Sequence, residues 1–168
     1  MWAPPGPASS CVASARADFG ILGRMTSEES ATSDPVELTR QLIDAGNRRD
    51  LDAAMGLFAR DVVWESVDGL GVFDGATAVR GFLGDWLSSY EVFSMELKEV
   101  LELSNGIAFA AGQQIGRLLG AAATVEQGSA WGIAWEDGLA VRVVASVDID
   151  KARAAAERLA GKRASAGD

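Results

Sequence analysis

Residues 94–117 read SMELKEVLELSNGIAFAAGQQIGR, and the hydrophobic period across them decides the fold. Met95, Leu97, Leu101 and Leu103 alternate with Glu96, Lys98 and Glu102, the period-two pattern of a strand with one wet face. That strand ends in Ser104-Asn105-Gly106, where Asn-Gly favours a tight hairpin turn. A second strand is expected from Ile107 to about Arg117. A looser turn around Gly120 leads to a third, Thr124 to Trp135, and Asp137-Gly138 turns the chain into a fourth, Ala140 to Asp148. Four strands joined in this way form a long antiparallel meander.

Upstream of the meander the period is helical. In DPVEL, Asp34 can cap a helix, Pro35 suits its first turn and Glu37 completes a capping-box arrangement, so a first helix is expected to about Asn47. Asp50 caps a short second helix in which Leu51, Ala54, Met55 and Phe58 share one face. A strand is expected from Asp61 to Val67. Val79, Phe82, Leu83 and Trp86 then mark a third helix, weakened by Gly81 and Gly84. After the meander, Asp150 opens a closing amphipathic segment, KARAAAERLAG, with Gly161 as its stop. A sheet with one apolar face must bury that face under the helices, which makes the fold class α+β.

The ends read differently. Residues 1–33 hold three of the four prolines in MWAPPGPASSCVASARADFGILGR and show no sustained period, so a disordered extension is expected there, with translation starting naturally at Met25. Neither a basic start nor an unbroken apolar stretch marks a secretory signal. Residues 161–168, GKRASAGD, are expected to be a flexible tail. The domain is therefore placed at 34–160.

Composition excludes several kinds of function. The chain has 168 residues, 48% of them hydrophobic, enough for one domain with a substantial core. Its formal charge of −9 opposes binding to phosphate backbones or anionic lipid, and no Lys/Arg run offsets it locally, so neither nucleic acid nor membrane is an expected partner. Cys11 is the one cysteine and histidine is absent, which leaves no internal disulfide, no Cys/His metal set and no Ser/His/Asp triad. No cofactor is implied, and a reducing, cytoplasmic setting is expected. Any acid–base chemistry must use Asp, Glu, Tyr, Lys or Cys.

The succession NRRDLDAAMGLFARDVVWES, FDGATAVRGFLGDWL and SAWGIAWEDGLAVRVVASVD resembles the nuclear transport factor 2-like superfamily, in its SnoaL-like and ketosteroid-isomerase-like branch. The resemblance covers roughly Asp34 to Ala160. It implies a cystatin-like roll: a cone-shaped, curved antiparallel sheet wrapped by three N-terminal helices around a mostly apolar pocket. It also implies homodimers joined through the outer sheet faces. The superfamily holds isomerases, polyketide cyclases, epoxide hydrolases, dehydratases and non-catalytic binding modules, so fold alone does not select a reaction.

Carried over residue by residue, the isomerase machinery is missing. The position of its aspartate base falls on Ser66, that of its oxyanion tyrosine on Leu42, and that of the protonated aspartate partner on Trp131. Alternation along DVVWES puts Trp64 and Ser66 on the pocket face and Glu65 on the other. The same alternation assigns Gln113, Ser129, Trp131 and Ile133 inward, with Val143, Ala145 and Val147 as the apolar set of the last strand. With Leu42 and Trp86 from the helices, this lining is neutral and suits a small, largely apolar molecule. The three tryptophans fit a ligand-holding wall and a plain core equally well. Asp68 and Asp74, on a glycine-rich loop near the mouth, are candidate displaced bases. Tyr90 is a candidate donor or a helix anchor. Arg142 is expected to pair on the outer sheet surface. Two functions therefore stand: a ligand-binding domain without evident catalysis, or an isomerase, polyketide-cyclase-like or dehydratase enzyme using a displaced Asp.

Overall fold

The computed structural model describes residues 34–167. The expected extension 1–33, with Met25 and Cys11, lies outside the described residues. The three expected helices are present: α1 (Pro35–Asn47), α2 (Leu51–Met55) and, after β1 (Phe58–Ser66) and β2 (Gly71–Asp74), α3 (Ala76–Ser88). Both predicted caps form, Asp34 accepting from the Val36 amide and Asp50 from the Ala53 amide. The meander follows as β3 (Tyr90–Ser104), β4 (Ile107–Leu118), β5 (Val125–Glu136) and β6 (Leu139–Ser146), and α4 (Ile149–Ala166) closes the chain. Among the described residues no helix is long and apolar enough to cross a membrane.

One six-stranded, curved and unclosed sheet runs in the order β2-β1-β6-β5-β4-β3. Its hairpins are those the sequence announces: Asn105 and Gly106 have φ of 53° and 77°, and Asp137 and Gly138 have 51° and 79°, positive pairs that match the right-handed strand twist. Register shifts interrupt β3 at three places along its 15 residues. Each shift kinks the strand, so the bend is built into β3 itself.

Several expectations are corrected. The sheet is not antiparallel throughout, because β6 returns beside β1 in the same direction, with Trp64 opposite Val143 and Ser66 opposite Ala145. The loop holding Asp68 and Asp74 contains a short strand, β2, whose four residues among glycines give no period to read. β1 starts at Phe58 rather than Asp61, and β3 at Tyr90 rather than Ser94. The last helix is capped by Asp148, which accepts from the Lys151 amide, and it passes through Gly161 to Ala166, so the expected tail is helical. A glycine costs a helix only about 1 kcal/mol, less than the docking of the preceding turns contributes.

The sheet buries both of its faces. Helices α1 to α3 cover the concave face around Leu38, Leu42, Val62, Val79, Trp131 and Ile133. Helix α4 lies on the convex face, where Ala152, Ala156 and Ala160 meet Ile107, Phe109, Ala130 and Ala134. Gly132 permits that close approach: a Cβ there would come within 2.5 Å of the Ala156 Cβ. α1 is tied to the sheet by the buried Thr39, whose hydroxyl accepts from Trp135 Nε1 at 3.0 Å and donates to the Pro35 carbonyl at 2.7 Å. Its end is held by Asn47, which exchanges two hydrogen bonds with the Met95 backbone.

Candidate functional site

The concave face encloses a cavity of about 140 Å³ between the sheet and α1, α2 and α3. Its walls carry the aromatic rings of Phe58, Trp64, Phe82, Trp86, Phe93 and Trp131. Neighbouring rings are in contact along one side, with centroids 6.2 Å apart for Phe58–Trp64, 5.8 Å for Trp64–Phe82 and 6.0 Å for Phe82–Trp86. Such tilted and edge-on pairs hold the wall in shape. Six of the seven sequence-derived lining residues meet here: Leu42, Trp64, Ser66, Trp86, Ser129 and Trp131.

Gln113 does not, and its neighbour Gln114 takes the place. In the β4–β5 register Gln114 is opposite Gln127 and Gly112 opposite Ser129, so the even-numbered residues of β4 share the pocket face with the odd-numbered residues of β5. Gln113 faces outward and bonds weakly to Glu126 at 3.5 Å. The parity was misread because α4 covers the outer face of β4, making both of its faces apolar and erasing the alternation. The fixed inward set of β5, combined with the hairpin register, is the signal that could have chosen Gln114, but the loose 119–124 connection leaves that register open. Phe93, Met95 and Leu87 also line the cavity; Phe93 was missed because the strand was expected to start only at Ser94, whereas Met95, read as part of that strand, and Leu87, at the end of α3, were not assigned to the lining.

The outward residues behave as alternation requires. Glu65 accepts from Arg142 at 2.8 Å on the far side of the sheet. Trp64 and Ser66, either side of it, line the cavity.

The three weak catalytic candidates separate. Asp74 ends β2, exposed and outside the lining. Asp68 stands at the mouth, exposed, with both oxygens engaged: Oδ1 accepts from the Ser146 hydroxyl and Oδ2 from the Val147 amide, each at 2.8 Å. It latches the β1–β2 turn to the end of β6. Tyr90 is not in the lining; it begins β3, its ring packs against Trp86 of α3, and its hydroxyl accepts from Gln114 Nε2 at 2.9 Å. The other acid at the cavity, Asp50, is occupied as the cap of α2. Among the described residues no arginine or lysine lines the cavity, and no three His, Cys, Asp or Glu side chains gather as a metal site would require.

A curved sheet packed on three helices around such a cavity is matched at the level of sequence, because the model of the SnoaL-like domain covers residues 39–154. The chain belongs to the SnoaL-like domain family. No curated protein matches this SnoaL-like chain. Among solved structures, a protein of ketosteroid isomerase-like fold from Catenulispora acidiphila DSM 44928, in complex with trimethylamine, is 13% identical with a TM-score of 0.60, over 65% of this chain and 83% of that one. A protein from Xanthomonas campestris pv. campestris named as a candidate polyketide cyclase is 21% identical with a TM-score of 0.57, over 70% of this chain and 92% of the other. An LEH-like epoxide hydrolase from M. tuberculosis is 14% identical with a TM-score of 0.60, over 77% and 92%. At these identities the likeness is one of fold, and the chemistry of the SnoaL-like cavity must be argued from its own side chains.

Proposed function

We propose that this SnoaL-like domain binds a small, largely apolar molecule in its cavity and supplies no general base to it. One observation carries the reading: the two carboxylates at the cavity, Asp50 and Asp68, are exposed and already hold protein hydrogen-bond donors, while the remaining wall is aromatic and aliphatic apart from Ser66, Gln114, Ser129 and Ser146, none of which is a general base. A base must reach the proton it removes and be free to accept it. The ligand-bound state of the trimethylamine complex adds support, since that structural relative also takes a small molecule. The reading includes a cytoplasmic setting and a homodimer. Because α4 occupies the convex face of β4 and β5, the dimer contact must use surface outside that footprint.

The second reading is an isomerase, cyclase-like or dehydratase enzyme with Asp68 as a displaced base. It is favoured by the position of Asp68 at the cavity mouth. Native mass spectrometry of the protein purified from its own host separates the two. A retained molecule recovered unchanged after incubation, from both the native protein and Asp68→Asn, is the expected result. Conversion by the native protein that disappears in Asp68→Asn would establish the enzyme reading instead. The same spectra give the oligomeric mass, and a monomer at micromolar concentration would remove the dimer.

A further inference from the structure

The polar side chains of the cavity divide into those already bonded within the protein and those that face the cavity with groups free. Asp50 and Asp68 are engaged as described. Ser146 donates to Asp68 and accepts from the Asp148 amide. Ser66 accepts from the Leu70 amide, at a long 3.4 Å. Gln114 and Ser129 differ: each is only 9% exposed, and both lie in the lining. They are diagonal neighbours across β4 and β5, since Ser129 is opposite Gly112 and Gln114 opposite Gln127, close enough to serve one ligand group together.

Gln114 is also tied at one end of its amide. Its Nε2 donates to the Tyr90 hydroxyl at 2.9 Å. The Tyr90 ring is in turn seated on Gly116, where a Cβ would approach it to 2.7 Å, and it packs against Trp86 and Phe93. With the nitrogen turned to Tyr90, the amide oxygen has no bond to any described residue, and neither has the Ser129 hydroxyl. An amide oxygen accepts, and a serine hydroxyl donates as well as accepts. A ligand hydroxyl meets both requirements at once, giving its proton to Gln114 Oε1 and accepting from Ser129. A carbonyl would leave the Gln114 oxygen unmatched.

We propose that Gln114 and Ser129 form the hydrogen-bond anchor of the cavity, that Tyr90 is its positioning residue, and that the ligand is a neutral, single-ring molecule bearing one hydroxyl group. This rests on the ligand-binding reading above and narrows it. The size follows from the cavity volume of about 140 Å³, close to that of an apolar cavity known to admit a benzene-sized guest. Neutrality follows from the charges and their partners: no cation in the lining can compensate an anionic ligand, and the two carboxylates that could compensate a cationic one, Asp50 and Asp68, already hold protein donors. The aromatic walls favour a flat ring.

The test is isothermal titration of the full chain with p-cresol, toluene and p-toluate, three rings of nearly one shape. We expect p-cresol to bind roughly tenfold or more tightly than toluene, because toluene covers Gln114 and Ser129 without bonding them, and p-toluate to bind weakest. Gln114→Leu should abolish the preference by weakening p-cresol and strengthening toluene. Tyr90→Phe should reduce the preference while leaving toluene binding unchanged, which a merely structural role for Tyr90 would not do. Equal binding of p-cresol and toluene to the native protein, or a preference that survives in Gln114→Leu, overturns the anchor alone. Failure of both neutral rings to bind the folded native protein overturns the cavity reading with it.

Discussion

Gly112 stands where β3 is bent, facing the register shift between Leu97 and Glu99, and a Cβ on it would overlap the Glu96 carbonyl oxygen. That obstacle is backbone, which cannot rotate aside as a side chain can. Gly112→Ala is therefore expected to cost about 3 kcal/mol, at the upper end for overpacking, or to prevent folding. Gly161 is the opposite case, exposed within α4 with nothing within 4 Å of the added carbon. Gly161→Ala should stabilise by about 1 kcal/mol through helix propensity alone. Urea midpoints measure both, and a destabilised Gly161→Ala would contradict a helix running through that position. At this scale the sequence was legible wherever one sheet face is wet. Glu65 was assigned outward because Trp64 and Ser66 flank it in an alternating strand, and its bond to Arg142 agrees. Gln113 was assigned inward because IAFAAGQQIGR offers no alternation, and the physical reason is the helix on its far side.

That helix is the element whose role the sequence showed least. Its amphipathic face is made of alanines, small enough to lie flat on a sheet opened by Gly132, and an alanine stripe gives a weak hydrophobic signal. Arg153 adds a specific hold: it pairs with Glu99 at 2.7 Å, and its guanidinium lies 4.4 Å from the centre of the buried Phe109 ring. Both contacts are partly solvated, so Arg153→Ala should cost only about 1 kcal/mol. Thermal unfolding at low and high salt separates them. The ion-pair share should shrink as salt rises, while the ring contact persists. A variant indistinguishable from the native protein at low salt would show that alanine packing alone docks α4. The other elements were read more easily because they carry chemical punctuation. Asp34 and Asp50 cap helices, and Asn105-Gly106 and Asp137-Gly138 turn hairpins. β2, with four residues and no such marks, went unread.

At the scale of the molecule, one curved sheet separates two apolar regions that differ in kind. The concave region keeps a cavity of about 140 Å³, with the rings of Phe58, Trp64, Phe82 and Trp86 bracing one another along its wall. The convex region is packed, alanine against Ile107, Phe109 and Ala134. Element order and period revealed the first region, while the second depended on where a C-terminal helix would dock, a long-range choice that local pattern does not encode. The division also predicts how the protein should fail. Ending the chain after Val147 removes α4 and bares the convex apolar strip of β4 and β5, a contiguous patch of the kind that drives association. Such a chain, if its far-UV circular dichroism still reports a sheet, should sediment as larger species than the full-length protein at the same micromolar concentration. Charging the strip, for example by Ala130→Lys and Ala134→Lys in the shortened chain, should reverse that growth by placing like charges on the two faces that meet. A shortened chain that stays folded with the full-length protein's assembly state would mean that α4 is not what keeps this face from pairing with another copy.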